Sequence, residues 1–333
     1  GEGVLRVVKN CAVVTCGPIV GFQEGIIDMS GPGAAHCPFS DLNLLVLEIE
    51  VDEDLPPHEH EQVLREGGLR ASRIVAETVA GEAADAVEQY ETLESAEGLP
   101  RIGYVYMLLS QGLLHDTYVF GRNAREGLPR VADPLALVEG VVVSGNCVSA
   151  CDKNTTYHHQ NNPVLSRLLE GHGREWDFVG TVLTNEPTRL AEKEQSAAGA
   201  VALLRELGAE GVIISKEGFG NPDADLMMLI RGLEQSGVKT TAITDEYAGV
   251  DGGSQSLADA TPEADALVSV GNANARIELP PMERTIGPVG PVNRLAGASP
   301  TSLRADGGLE VELQTIMGST NQLGFGRLRC REV

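Results

Sequence analysis

The sequence predicts an α/β fold, with a mainly parallel sheet flanked by helices over 136–333 and a more β-rich α/β domain over 1–135. Three observations predict it. In the second half, short runs rich in valine, isoleucine and threonine alternate with longer helical patterns, the rhythm of successive βαβ units. Those runs are apolar on both sides, as strands covered on both faces must be. The stretch from Leu128 to Leu137 carries two prolines, which sets the division between the two domains there.

In the first segment LRVVKNCAVVTC, IVGFQEGIIDM and LNLLVLEIEVD read as strands, arranged in hairpins or a β-rich layer. One long helix, HEHEQVLREGGLRASRIVAETVAG, follows, and then the strand RIGYVYMLLS. Past the boundary, GVVVSG near 140, DFVGTVLT near 180, GVIIS at 211, TTAIT at 240 and ALVSV at 266 read as buried strands. The helical patterns between them are PVLSRLLEG, TRLAEKEQSAAGAVALLRELG and DADLMMLIRGLEQSG. In the second of these, Leu190, Ala197, Val201 and Leu204 share one face and Gly208 supplies the stop signal. No internal repeat and no low-complexity segment occurs.

Composition excludes several functions. The net charge is −23, with no cluster of lysine and arginine, so a phosphate-binding nucleic-acid surface is not expected. No run approaches the roughly 18 apolar residues that a membrane-spanning helix needs. Six cysteines in 333 residues are too few for a disulfide scaffold, and GEGVLRVVKN contains no apolar signal core. A cytoplasmic, reduced protein is expected, in which cysteines pack, ligate metal or act as nucleophiles.

In an open α/β sheet the loops that leave the carboxyl ends of the strands form the binding crevice. Here they are polar. Asn185-Glu186 follows TVLT, Glu217-Gly218-Phe219-Gly220-Asn221 follows VIIS, Asp245-Glu246-Tyr247 follows TAIT, and Gly271-Asn272 follows LVSV. SGNCVSACDKNTTYHHQNNP follows GVVVSG in the same manner. Convergence of these loops marks one face as the site, although Asp and Asn are also ordinary turn and cap residues. Gly218-Phe219-Gly220 lacks the third glycine of a dinucleotide loop, and there is no Walker lysine, so no nucleotide is expected. His58-Glu59-His60 and His158-His159 lack the spacing of a metal motif, and no metal is assigned.

SGNCVSACDKNTTYHHQNNP, EGFGNPDADLMM, TDEYAGVDGGSQSLAD, GNANARIELPPM and ELQTIMGSTNQLGF resemble the glycine/sarcosine/betaine reductase component B precursor family. GFQEGIIDMSGPGA and YVYMLLSQGLLHDTYVFG extend the resemblance to the N-terminal half, so it covers essentially the whole chain. Family precursors carry an additional N-terminal segment, and this chain is expected to begin after it. The resemblance implies that the chain cleaves itself between Asn146 and Cys147, and that Cys147 becomes a pyruvoyl group. Such a carbonyl is an electron sink that condenses with a substrate amine, after which a selenol or thiol on a partner displaces the amine. A thiol suits the cleavage because it is both nucleophile and leaving group.

On this reading Asn154, Thr155, Thr156 and Tyr157 line the site with Asn272, and His158 or His159 moves protons near neutral pH. Glu186, Glu217 and Asp245 attract the cationic amine. The implied partners are a selenocysteine- or cysteine-containing component B subunit and a small selenoprotein carrier, in a hetero-oligomer. Three alternatives stay open for Cys147: a packed thiol, a redox pair with Cys151, or processing at Cys151 instead. An uncleaved homologue acting as a binding or scaffold subunit is the second functional reading.

Overall fold

The computed structural model describes all residues except 1, 2, 19–23, 53, 91, 92, 113, 115, 146, 147 and 326–333. The chain opens with β1 (Cys11–Cys16) and β2 (Asn43–Glu48), followed by the helix α1 (Pro57–Thr78). The long strand β3 (Arg101–Leu109) comes next, then the short strands β4 (Tyr118–Val119), β5 (Arg122–Asn123) and β6 (Arg130–Ala132). After α2 (Pro134–Val138) and β7 (Val142–Val143) lie α3 (Thr156–Gln160) and α4 (Pro163–Gly171). The regular βαβ stretch consists of β8 (Asp177–Glu186), α5 (Leu190–Glu206), β9 (Gly211–Ser215), α6 (Asn221–Gln235) and β10 (Lys239–Glu246). It ends in β11 (Leu267–Asn272), β12 (Arg276–Leu279) and β13 (Leu309–Glu312).

The main sheet has six strands in the order β11-β10-β9-β3-β8-β6. Every neighbouring pair is parallel except β6 with β8. This corrects the expected division at 135/136. The strand at the centre of the sheet is β3, which comes from before that point, and its partners β8 and β9 come from after it. The proline-bearing stretch is no linker either, since Arg130–Ala132 adds the antiparallel edge strand. The physical reason lies in RIGYVYMLL itself. Tyr104, Tyr106 and Leu108 face one buried layer while Val105 and Met107 face the other, and a strand apolar on both faces belongs in the interior of a sheet.

Helices cover both faces. On one, α5 and α6 pack Ala197, Ala200, Leu204, Leu226, Ile230 and Leu233 against Val105, Val182, Ile214 and Ala242. On the other, Leu165, Leu168 and Leu169 of α4 meet Tyr104, Tyr106, Phe178 and Leu183. The buried stripe of α5 is Lys193, Ser196, Ala197, Ala200 and Leu204, and Leu190, expected on that face, is 62% exposed in the first turn. Gly208 takes φ +69° after the helix, as a stop residue should.

Two further expectations are corrected. Of the N-terminal runs, β1 and β2 pair in parallel as a two-stranded layer and not as a hairpin, and residues 19–23 of IVGFQEGIIDM lie outside the described residues. Gly67 and Gly68 let α1 lie close on that pair, since a Cβ at either would sit 3.2 Å from Ile49 and 3.1 Å from Thr15. GVVVSG contributes only Val142–Val143, which joins β4 and β5 in a separate antiparallel sheet and not the parallel one.

Candidate functional site

The carboxyl ends of β3, β8, β9 and β10 stop at one level, and a polar shelf is buried there beneath two loops. One loop is 148–155 and the other is the turn 317–323. Backbone bonds join them: Gly318 N donates to Ala150 O at 2.8 Å and Thr320 N to Cys151 O at 3.2 Å. Asn321 clamps the pair further, with Nδ2 donating to Asn154 Oδ1 at 2.9 Å. Gly218 (φ +75°) turns the chain directly after β9, and Gln322 Nε2 reaches its carbonyl at 3.0 Å.

Glu186 and Glu217 form one half of the shelf, and both are fully buried. Glu217 Oε2 accepts from Leu109 N and Thr117 Oγ1, each at 2.7 Å. Its own backbone N–H donates to Glu186 Oε1 at 3.2 Å. His159 Nε2 lies 3.3 Å from Glu217 Oε1. Tyr106 hydrogen-bonds His159 Nδ1, and burial pushes that phenol well above its usual range. Tyr106 is therefore the donor, which leaves the proton of a neutral His159 on Nε2, facing Glu217. Neither Glu217 nor Asp245 caps a helix: the N-cap of α6 is Gly220, with no side-chain cap bond, and Asp245 lies within β10.

Burial, then the neighbouring Glu217 and Asp225 charges, raise Glu186 well above the usual 4.5, and its Oε2 has no hydrogen-bond partner among the described residues. A raised folded value gives stability that is complete below about pH 4.5 and is lost as pH rises through the folded value. Glu186→Gln should therefore flatten the fall in stability as pH rises above about 4.5, a fall whose limiting slope for one group is ~1.4 kcal/mol per pH unit. Equal slopes for the two proteins would show that Glu186 is charged when folded.

The other half of the shelf holds Cys151, Asp152 and Asp245, with Lys216 beside them, all fully or almost fully buried. Lys216 pairs with Asp223 of α6, and its carbonyl lies 3.4 Å from Asn154 Nδ2. Asp245 Oδ1 accepts from Gln322 Nε2 at 2.5 Å and Oδ2 from Thr320 Oγ1 at 3.1 Å. Burial raises Asp245 to about 6, against the lowering effect of Lys216, and pushes Asp152 and the Cys151 thiol well above their usual ranges.

The structure thus groups Glu186, Glu217 and His159, places Asp245 beside Cys151 and Asp152, and sets Asn154 between Lys216 and Asn321. The other predicted site residues do different work. Thr155 caps α3, accepting from His158 N at 3.3 Å, and Thr156 Oγ1 accepts from Ser144 N at 3.1 Å. Tyr157 packs edge-on against Phe39, with ring centres 5.5 Å apart. Asn272 holds the 248–249 loop, with Nδ2 donating to Gly249 O at 2.8 Å. His158 is fully buried against Phe39 and Phe325, and burial with His159 nearby lowers its pKa to about 3. It stays neutral at neutral pH and so does not move protons there. Asn146 and Cys147 lie outside the described residues. Sequence reasoning missed Tyr106, Thr117, Asp152, Lys216 and the Thr320-Asn321-Gln322 turn. Lys216, a charge set directly after the apolar run GVIIS, was the one visible signal.

Fold and site together define an α/β protein whose strand ends carry a buried, carboxylate-rich polar centre closed by the chain's own C-terminal turn. A family model described as "Glycine/sarcosine/betaine reductase component B subunits" matches residues 1–331. Three relatives from Peptoclostridium acidaminophilum give the same result. The chain is 51% identical to glycine reductase complex component B subunits alpha and beta, over 99% of this chain and 79% of that one. It is 44% identical to sarcosine reductase complex component B subunit alpha, with the same coverage. It is 32% identical to betaine reductase complex component B subunit alpha, over 100% of this chain and 80% of that one. No solved structure matches. The chain belongs to the glycine/sarcosine/betaine reductase component B family.

Proposed function

We propose that the chain is the precursor of component B subunits in a reductase complex, cleaves itself before Cys147, and handles a small primary amine of the glycine class. The observation that carries this is the 51% identity to a relative whose name covers two subunits, alpha and beta, in one chain. Identity falls from the glycine to the sarcosine to the betaine relative, which favours the unsubstituted amine.

In the cleavage, the Cys147 sulfur attacks the Asn146 carbonyl carbon. The C–S bond forms as the peptide C–N bond breaks, and the freed nitrogen takes up a proton. Elimination then breaks the Cβ–S bond and expels the sulfur as the Asn146 thiocarboxylate, and hydrolysis of the dehydroalanine left at position 147 releases ammonia and leaves a ketoamide at the new terminus. The described flanks fit a group built there. Ser144, Gly145 and Val148 are buried, and Ser144 Oγ has no partner among the described residues. Val148 lies against Gly218, where an added Cβ would come 3.7 Å from its Cγ1, so this flank borders the carboxylate shelf. Once formed, the pyruvoyl carbonyl supplies an electron sink. The chain's own residues would do the rest. Glu217 attracts the ammonium and accepts its proton, His159 holds the Glu217 carboxylate from behind, and the 317–323 turn excludes water.

Glu217→Gln should still divide before Cys147, because cleavage requires no cation, yet bind glycine at least tenfold more weakly, the effect of about 1.4 kcal/mol. Calorimetric titration beside a melting curve decides it: unchanged affinity with lowered melting would leave Glu217 a structural acceptor only. The chemistry also needs an external selenol or thiol. The partners proposed are a component B subunit carrying selenocysteine or cysteine and a small selenoprotein carrier. The purified chain with dithiol alone should release no ammonia from glycine, and adding both partners should restore release. Turnover by the single chain would overturn the partner requirement. Hydroxylamine tests the carbonyl directly, adding to the fragment that starts at position 147 and not to an uncleaved chain.

A further inference from the structure

We propose that Cys151, Asp152 and Asp245 form a binding site for one divalent cation of the zinc class. One sulfur and one oxygen from each carboxylate lie within 4.8 Å of one another, all three residues buried. A tetrahedral ion with bonds of about 2.0–2.3 Å holds its ligand atoms roughly 3.5 Å apart, so small side-chain rotations close the set. The second observation is Asp152. It is 1% exposed, and neither carboxylate oxygen has a hydrogen-bond partner among the described residues. A buried carboxylate without partners is costly, and an ion between it and its neighbours removes that cost.

Charge favours a cation here. Asp152, Asp223 and Asp245 act on one another here, and Lys216 is the ammonium among them. Three carboxylates and the Cys151 thiolate against one ammonium leave an excess of negative charge that a divalent ion lowers. The donor set chooses the class: thiolate with two carboxylate oxygens suits zinc, whereas magnesium and calcium sites are built from oxygen alone. Supporting bonds orient one ligand, since Thr320 and Gln322 fix both oxygens of Asp245. The Tyr247 hydroxyl, 3.4 Å from Cys151 Sγ, borders the position left open by three protein ligands. The Tyr247 ring rests on Phe219, centroids 3.9 Å apart, and both rings are half-buried, so this side is the route inward.

The site is independent of the proposed cleavage, and its test reads metal alone. The purified chain, stripped with chelator, is titrated with Zn²⁺ against a chromophoric competitor and separately with Co²⁺. One ion should bind per chain, with a sulfur-to-cobalt charge-transfer band. Asp152→Asn, which breaks no side-chain hydrogen bond among the described residues and keeps the side-chain shape, should weaken Zn²⁺ by about 100-fold, as strong an effect as losing a supporting group. Cys151→Ser should retain Co²⁺ and lose the sulfur band. The proposal is overturned if folded wild type binds neither ion, or if both variants match it in affinity and spectrum.

Discussion

Cys147→Ala leaves a single chain of 333 residues and no amine-dependent reduction in the assembled complex. Alanine offers neither the nucleophile for the acyl shift nor the leaving group for the elimination, so no carbonyl forms and the loss should be complete, not partial. The neighbouring thiol gives the contrast. Cys151 is fully buried beside the Tyr247 hydroxyl, and the Ala150 carbonyl that it would attack already accepts from Gly318 N at 2.8 Å. Cys151→Ala should still yield both fragments. Gel electrophoresis of the two variants is enough to decide, and two fragments from the Cys147→Ala chain would move the processed bond elsewhere.

Lys216→Met should cost roughly 3–5 kcal/mol of stability, the usual effect of breaking a buried pair by removing one partner. Lys216 and Asp223 are both fully buried, and the lysine also moderates Asp152 and Asp245. Without it three carboxylates share one water-poor region. The double variant Lys216→Met with Asp223→Leu should recover much of the loss, since an apolar pair of similar volume packs where the ions did. Recovery stays partial because Asp223 Oδ2 also accepts from Ala258 N at 2.8 Å. Chemical denaturation of the three proteins measures this. A double variant no more stable than the single would show that Lys216 acts on Asp152 and Asp245 more than on Asp223.

The strands of the second half were legible because their apolar runs have no other use, and Gly211–Ser215 matches the sequence reading residue for residue. The domain division was not legible. RIGYVYMLL reads as a strand from either side of the boundary, but nothing local shows that it inserts between β8 and β9, because parallel partners are set by crossovers and not by neighbours in sequence. For the candidate site, the strand-end rule placed Glu186, Glu217 and Asp245 at one end of the sheet. It could not separate them into two groups, since that depends on which loop covers which strand. The 317–323 turn brings Thr320 and Gln322 to Asp245 from 75 and 77 residues away. His158 and His159 looked equivalent as adjacent imidazoles. Opposite sides of one helical turn send the first into an aromatic cluster and the second to Tyr106 and Glu217.

Self-cleavage between Asn146 and Cys147 is decided by the intact mass of the purified protein. Two species of 146 and 187 residues are expected, which together make up the 333 of the chain, the larger one opening on a carbonyl that reacts with hydroxylamine. A single species of full mass with an alkylatable thiol at Cys147, persisting after incubation with the partner components, would contradict it and leave the chain an uncleaved binding or scaffold subunit.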